Sequence, residues 1–307
     1  MDENGVQWEV GFRLSFMIPS PSEIADLAEE GLLKKAMTPW GTTFVSAMFA
    51  GALIAIGFIF YTTSQVGAEA LPYGVAKVLG GVVFSTGLAL VIILGADLFT
   101  STTMTLMPGV DRRLPWGRLL AHWGVVYLGN FFGSLLVAIT IFLSGTPHTG
   151  HGGWGAVVIS ASVSKVSHTP VEAFFLGILC NVLVCLAVWA GYAGKSVTDK
   201  MVAVTLPIAV FVASGFEHSV ANMFMLPLGL MIKAEGNPEV MAAIANGTDV
   251  DALTVPAVLL SNLLPVTLGN IVGGGVFIGL GMFIWHRRGS YRKTAEASAR
   301  YRAPREE

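Results

Sequence analysis

The chain has 307 residues, of which 53% are hydrophobic and only 12% charged; its mean hydropathy is +0.68 and its net charge −2. Soluble domains carry about 25% charged residues, so this composition excludes a water-covered globular domain and assigns most of the exterior to lipid. It offers no basic surface for nucleic acid, and no G-x-x-x-x-G-K-[ST] loop for a nucleotide, so ATP-driven pumping is not expected.

The first 40 residues form a polar N-terminal segment with no cleavable leader pattern. Ser20-Pro21-Ser22-Glu23 reads as a capping box with proline at the first helical position. Ile24, Leu27, Ala28, Gly31 and Leu32 then make one apolar or small face of a short amphipathic helix. Its acids come early and Lys34-Lys35 late, as the helix dipole prefers.

A helix needs about 20 mostly apolar residues to cross a bilayer, and six stretches qualify. They are roughly Thr43–Thr63; the stretch between Lys77 and Asp111, interrupted only by Asp97; Trp116–Leu143; Ala173–Gly194; the stretch between Lys200 and Lys233, interrupted by Glu217 and His218; and Pro256–Trp285. Cys180 and Cys185 lie in the fourth span and point to different sides of a helix, so no disulfide is expected. With the N-terminus inside, the inner segments hold 15 of the 18 Lys and Arg residues, and the outer ones only Lys77, Lys165 and Lys233. The positive-inside rule therefore predicts that both termini are cytoplasmic. Residues 41–286 make the transmembrane domain and 287–307 a basic tail.

The spans repeat. The third contains Leu128-Gly129-Asn130 with Gly133, and the sixth Leu268-Gly269-Asn270 with Gly273. The second contains Gly95-Ala96-Asp97 and the fifth Gly215-Phe216-Glu217. Three spans per half insert the halves in opposite directions, which predicts an inverted-topology repeat over about 41–143 and 171–286. An acid at membrane depth costs about 3 kcal/mol on insertion scales. Each acid here follows a glycine and precedes cap-like residues, Thr100-Ser101-Thr102 or Ser219. The pattern predicts that the second and fifth helices stop, loop and restart inside the membrane, with Asp97 and Glu217 satisfying loop backbone donors. Exposed backbone at such depth is tolerated only where protein buries it or a cavity receives it, and restarted half-helices point positive dipole ends inward, which suits an anion.

Few side chains offer chemistry. His218 lies deep in the fifth span, and three readings stand: a proton donor, a metal or haem ligand, or a buried hydrogen-bonding group. Bis-histidine haem needs a second histidine at matching depth, for which His122, near the start of the third span, is poorly placed. Lys165 is either a solvated loop residue or an entrance charge that concentrates anions. Asn181 and Asn270 either join helices or line a pore. His148 and His151, in a Gly-rich outer loop, make no convincing metal site. No cofactor, metal or catalytic residue is expected.

Two long segments carry a resemblance. Gly95-Ala96-Asp97-Leu98-Phe99-Thr100-Ser101-Thr102 and Ala213-Ser214-Gly215-Phe216-Glu217-His218-Ser219-Val220-Ala221-Asn222-Met223-Phe224-Met225, together with Pro265-Val266-Thr267-Leu268-Gly269-Asn270, resemble the signatures of the formate/nitrite transporter family. The likeness runs from about Ile18 to Trp285 and is closest to the formate-channel branch. It implies an all-α, aquaporin-like fold with one pore per subunit and a homopentamer in the bacterial cytoplasmic membrane. It also implies roles. Thr100 and His218 face each other at the pore centre. Phe84 and Phe211 form the outer constriction, and Leu88, Leu98 and Val184 the inner one. Lys165 attracts the anion, Asn181 and Asn270 contact it, and the N-terminal helix is a mobile gate.

The expected activity is passive or proton-coupled passage of formate and similar small anions, such as acetate, gated by pH. Nitrite or hydrosulfide is the alternative within the family. From other classes, a neutral-solute pore would need paired Asn-Pro-Ala breaks, which are absent, and a haem-bearing respiratory subunit would need the missing second histidine.

Overall fold

A computed structural model of the chain describes residues 18–287. The expected basic tail beyond Arg287 and the N-terminal residues before Ile18 lie outside the described residues. Among the described residues all regular structure is helical. Helix α1, Pro21–Met37, opens on the anticipated capping box, with Ser20 and Glu23 each bonding the other's backbone N–H. The first crossing is α2, Trp40–Gln65. The second is split into α3, Tyr73–Leu94, and a restarted half-helix α4 over residues 99–110. The third is α5, Trp116–Leu143.

The second half follows the same plan. Helix α6, Gly153–Val166, precedes the fourth crossing, α7, Pro170–Ala193. The fifth is split into α8, Val197–Ala213, and α9, Ser219–Glu235, of 17 residues each. After the short α10, Pro238–Ala243, comes the sixth crossing, α11, Ala257–His286. Five of these helices, α2, α3, α5, α7 and α11, are long and apolar enough to cross a membrane alone. The fifth crossing needs α8 and α9 end to end, because 17 residues each fall short of the about 20 a single crossing needs. This is an inverted repeat of two three-crossing halves with the second and fifth crossings broken. Each half is prefaced by a short helix, α1 or α6.

Two expectations need correction. The outer segment from His148 to Lys165 is not a simple loop: most of it is α6, which buries Trp154, Val158 and Ile159. Its entry is decided by tertiary packing, since a Cβ at Gly152 would meet the Glu239 backbone at 2.6 Å and one at Gly155 the Pro147 carbonyl oxygen at 2.8 Å. The buried stripe of α1 is also rotated from the expected face. Leu27 is exposed, while Ala25, Ala28, Glu29, Leu32 and Ala36 are buried. A buried Glu29 is tolerable because Arg113 approaches its carboxylate at 3.3 Å.

The repeated glycines set helix contact. A Cβ at Gly133 would collide with the Met48 carbonyl oxygen of α2, and one at Gly269 with the Phe174 carbonyl oxygen of α7. Thus α5 packs on α2 as α11 packs on α7, backbone against backbone, as small-residue helix pairs do in lipid.

Candidate pore site

Both breaks have one geometry. Helix α3 ends at Gly95 (φ 70°), with the Ala96 N–H donating to the Val91 carbonyl at 3.0 Å; α8 ends at Gly215 (φ 72°), with the Phe216 N–H donating to the Phe211 carbonyl at 3.1 Å. This is a Schellman end, whose left-handed residue favours glycine. The chain then runs extended through Leu98 or His218 and restarts.

Asparagines tie these turns down. Asn130 Oδ1 accepts from the Phe99 N–H at 2.7 Å, while its Nδ2 donates to the Ala47 and Asp97 carbonyls. Asn270 Oδ1 accepts from the Ser219 N–H at 2.9 Å, and its Nδ2 donates to the Gly177 and Glu217 carbonyls. The backbone role expected of Asp97 and Glu217 therefore falls to Asn130 and Asn270, whose amides carry both donor and acceptor. The carboxylates face cations instead. Asp97 lies 3.5 Å from Lys35 of α1, whose ammonium also donates to the Ala96 carbonyl at 2.7 Å. Glu217 receives Lys165 of α6 at 2.8 Å, and its other oxygen accepts from Asn222 at 2.7 Å and Asn262 at 3.1 Å. Each preface helix thus sends one lysine to the acid of its own half's break.

The half-helices meet at their N-termini. Thr100 Oγ1 and His218 Nε2 are 3.1 Å apart, both buried. His218 Nδ1 accepts from the Ala221 N–H at 3.1 Å, so the imidazole caps α9. That bond assigns the neutral ring's proton to Nε2, directed at Thr100. Phe211 stacks on His218 (centroids 5.9 Å, 25°) and meets Phe84 edge to face (5.6 Å, 89°). Leu88, Leu98 and Val184 are buried in the same core cluster. Asn181 is buried and donates to the Thr100 and Asn270 carbonyls and to Thr103 Oγ1, so its amide protons are committed to protein. Leu98 holds the position in its half that His218 holds in the other: the two breaks match in backbone but differ here in chemistry.

A cavity of about 670 Å³ on the α6 face reaches this point. Phe84, Phe211 and His218 line its floor, and Lys165, Lys77, Glu69 and Tyr61 its walls. On the α1 face, Arg118 lies over the Trp40 ring at 3.6 Å and donates to the Ala36 and Thr38 carbonyls, which holds the end of α1 against α5. Sequence reasoning did not assign Lys35, Asn130, Asn222 or Asn262. Asn130 was within reach, since it shares the L-G-N position with Asn270, but nothing local marks Asn262 as a partner of Glu217. Among the described residues no cluster suited to a metal ion occurs.

An inverted-repeat membrane protein with two broken helices meeting at a buried histidine, which also lines a cavity, is built as a solute pore. The chain belongs to the formate/nitrite transporter family, which it matches over residues 22–284. It is 45% identical over 269 residues to the formate channel FocA of Escherichia coli (strain K12), spanning 87% of this chain and 94% of that one. It is likewise 45% identical over 271 residues to the formate channel FocA of Haemophilus influenzae, spanning 87% and 95%. Among solved structures, a pentameric formate channel with formate bound is 42% identical with a TM-score of 0.74, covering 80% of this chain and 96% of that one.

Proposed function

We propose that this protein is a homopentameric channel for formate and similar small monovalent anions in the bacterial cytoplasmic membrane, with both termini inside. The α1 face is then cytoplasmic and the cavity on the α6 face is the outer vestibule. The observation that carries the reading is the Thr100–His218 contact at the vestibule floor, 3.1 Å across the two breaks.

Ionic formate pays a large desolvation cost in a dry constriction, and simple carboxylic acids titrate near ~4, so formate is ionic at neutral pH. Two half-helix N-termini converge at the point of highest cost, where their dipoles favour negative charge. Lys165 acts on the anion at short range, because Glu217 offsets its charge at a distance. The anion passes the Phe84–Phe211 pair and meets His218 and Thr100, which supply a hydrogen bond and, in acid, a proton. Leu88, Leu98 and Val184 exclude water below. Asn181 and Asn270 hold the breaks through bonds to protein, so the solute contact expected of them falls to Thr100 and His218. Helix α1, pinned through Lys35 and Arg118, closes the inner mouth when docked.

The test is flux through reconstituted liposomes with formate, nitrite and hydrosulfide at neutral and acidic pH. The reading predicts fastest passage for formate and acid-stimulated uptake. A preference for nitrite or hydrosulfide would move the protein to the other anions of its family.

A further inference from the structure

The fixed charges of the outer vestibule do not all act at a distance. Four ionised side chains line it: Lys77, Lys165, Glu69 and Glu217. Lys165 and Glu217 touch at 2.8 Å, so an anion well above them meets a short dipole rather than a cation. Lys77 is different. Among the described residues no carboxylate lies within 4.0 Å of its ammonium, which sits 5.5 Å from the centroid of the Tyr73 ring on the same helix. Glu69, also on the rim and exposed, takes part in no ion pair among the described residues.

The register of α3 directs Lys77 inward. Phe84 follows it by seven residues and Leu88 by eleven, all on one helical stripe. At a rise of 1.5 Å per residue, Lys77 stands about 10 Å above Phe84 along the helix. The stripe that leads to the constriction therefore begins, at the mouth, with a cation in no ion pair among the described residues. Such a charge raises the local anion concentration and the capture rate, and salt screens it.

We propose that Lys77 is the anion-collecting residue of the outer mouth, that Glu69 opposes it, and that Lys165 acts only after capture. The proposal rests on the anion-channel reading above. The experiment compares initial uptake into liposomes by wild type, Lys77→Gln, Lys77→Arg and Glu69→Gln, at about 10 mM and about 150 mM ionic strength, where the screening length falls from about 30 Å to about 8 Å. At low salt, Lys77→Gln should lose roughly three- to tenfold of the uptake rate and Glu69→Gln should gain, while Lys77→Arg tracks wild type. At high salt all four should converge. Size exclusion checks that each variant assembles, and Glu69→Gln keeps the proposal testable if Lys77→Gln does not. A Lys77→Gln rate equal to wild type at both salts overturns it, as does a loss that salt leaves unchanged. The wild type's own anion preference tests the formate reading separately, and the variant-to-wild-type ratio is taken with whichever of formate or nitrite passes.

Discussion

Thr100 and His218 lie 118 residues apart, on opposite halves of an inverted repeat, and their side chains meet at 3.1 Å because each sits at the start of a half-helix. His218 has two duties at that point: Nδ1 caps α9 and Nε2 faces Thr100.

Asparagine is among the best helix caps, so His218→Asn should keep the α9 start and cost at most about 1 kcal/mol of stability. Passive efflux of ionic formate should persist, while acid-stimulated uptake should vanish, since an amide does not titrate. Paired influx and efflux across liposomes at neutral and acidic pH reads both. Full acid stimulation in the variant would reduce His218 to a capping residue.

Lys165→Ala removes the only cation paired, among the described residues, with a nearly fully buried Glu217. Breaking one side of a buried pair costs about 3–5 kcal/mol, so this variant should unfold well below wild type in detergent. Adding Glu217→Gln should restore most of the loss, because a neutral amide still bonds Asn222 and Asn262. Thermal unfolding of the single and double variants measures the coupling; additive losses would mean that the pair contributes nothing.

Asn130→Ala and Asn270→Ala should fail alike. Each leaves one backbone N–H and one carbonyl of a break, and one carbonyl of the neighbouring helix α2 or α7, without that partner, and an orphaned buried polar group costs about 1–3 kcal/mol. Both should lower the thermal midpoint sharply, and oligomer yield on size exclusion with it. Tolerance of one but not the other would mean that the halves do not share this device.

The N-terminal cap should respond to pH. Hydrogen bonds from the Ser20 hydroxyl and backbone N–H lower the pKa of Glu23 below the ordinary carboxylate value. A carboxylate depressed in the folded state adds stability above its unfolded pKa and loses it as pH falls through the folded one. Protection of the first-turn amides of α1, taken relative to their intrinsic exchange rate at each pH, should therefore fall once pH drops below the usual carboxylate range of about 4, and Ser20→Ala should show the lower protection already at neutral pH. Protection that ignores both acid and the substitution would contradict this role for the box.

By itself, the sequence determined what depends on local chain chemistry. Hydrophobic length set the six crossings. Gly95 and Gly215 marked the breaks, since only glycine readily takes φ near +70° there. The two L-G-N-x-x-G runs announced the repeat and the close helix contacts. Tertiary structure decided everything that rests on long-range partners. A buried carboxylate must find a cation, but nothing near Asp97 or Glu217 in sequence says that it will be Lys35, on the helix before the first crossing, or Lys165, on a helix inside an apparent loop. Likewise, α6 buries Trp154 and Ile159 only because glycines let the segment 145–155 close on Glu239 and Val240. Hydrophobic period and backbone freedom act over a few residues, whereas charge compensation and polar pairing follow distance in space, which the chain acquires only on folding.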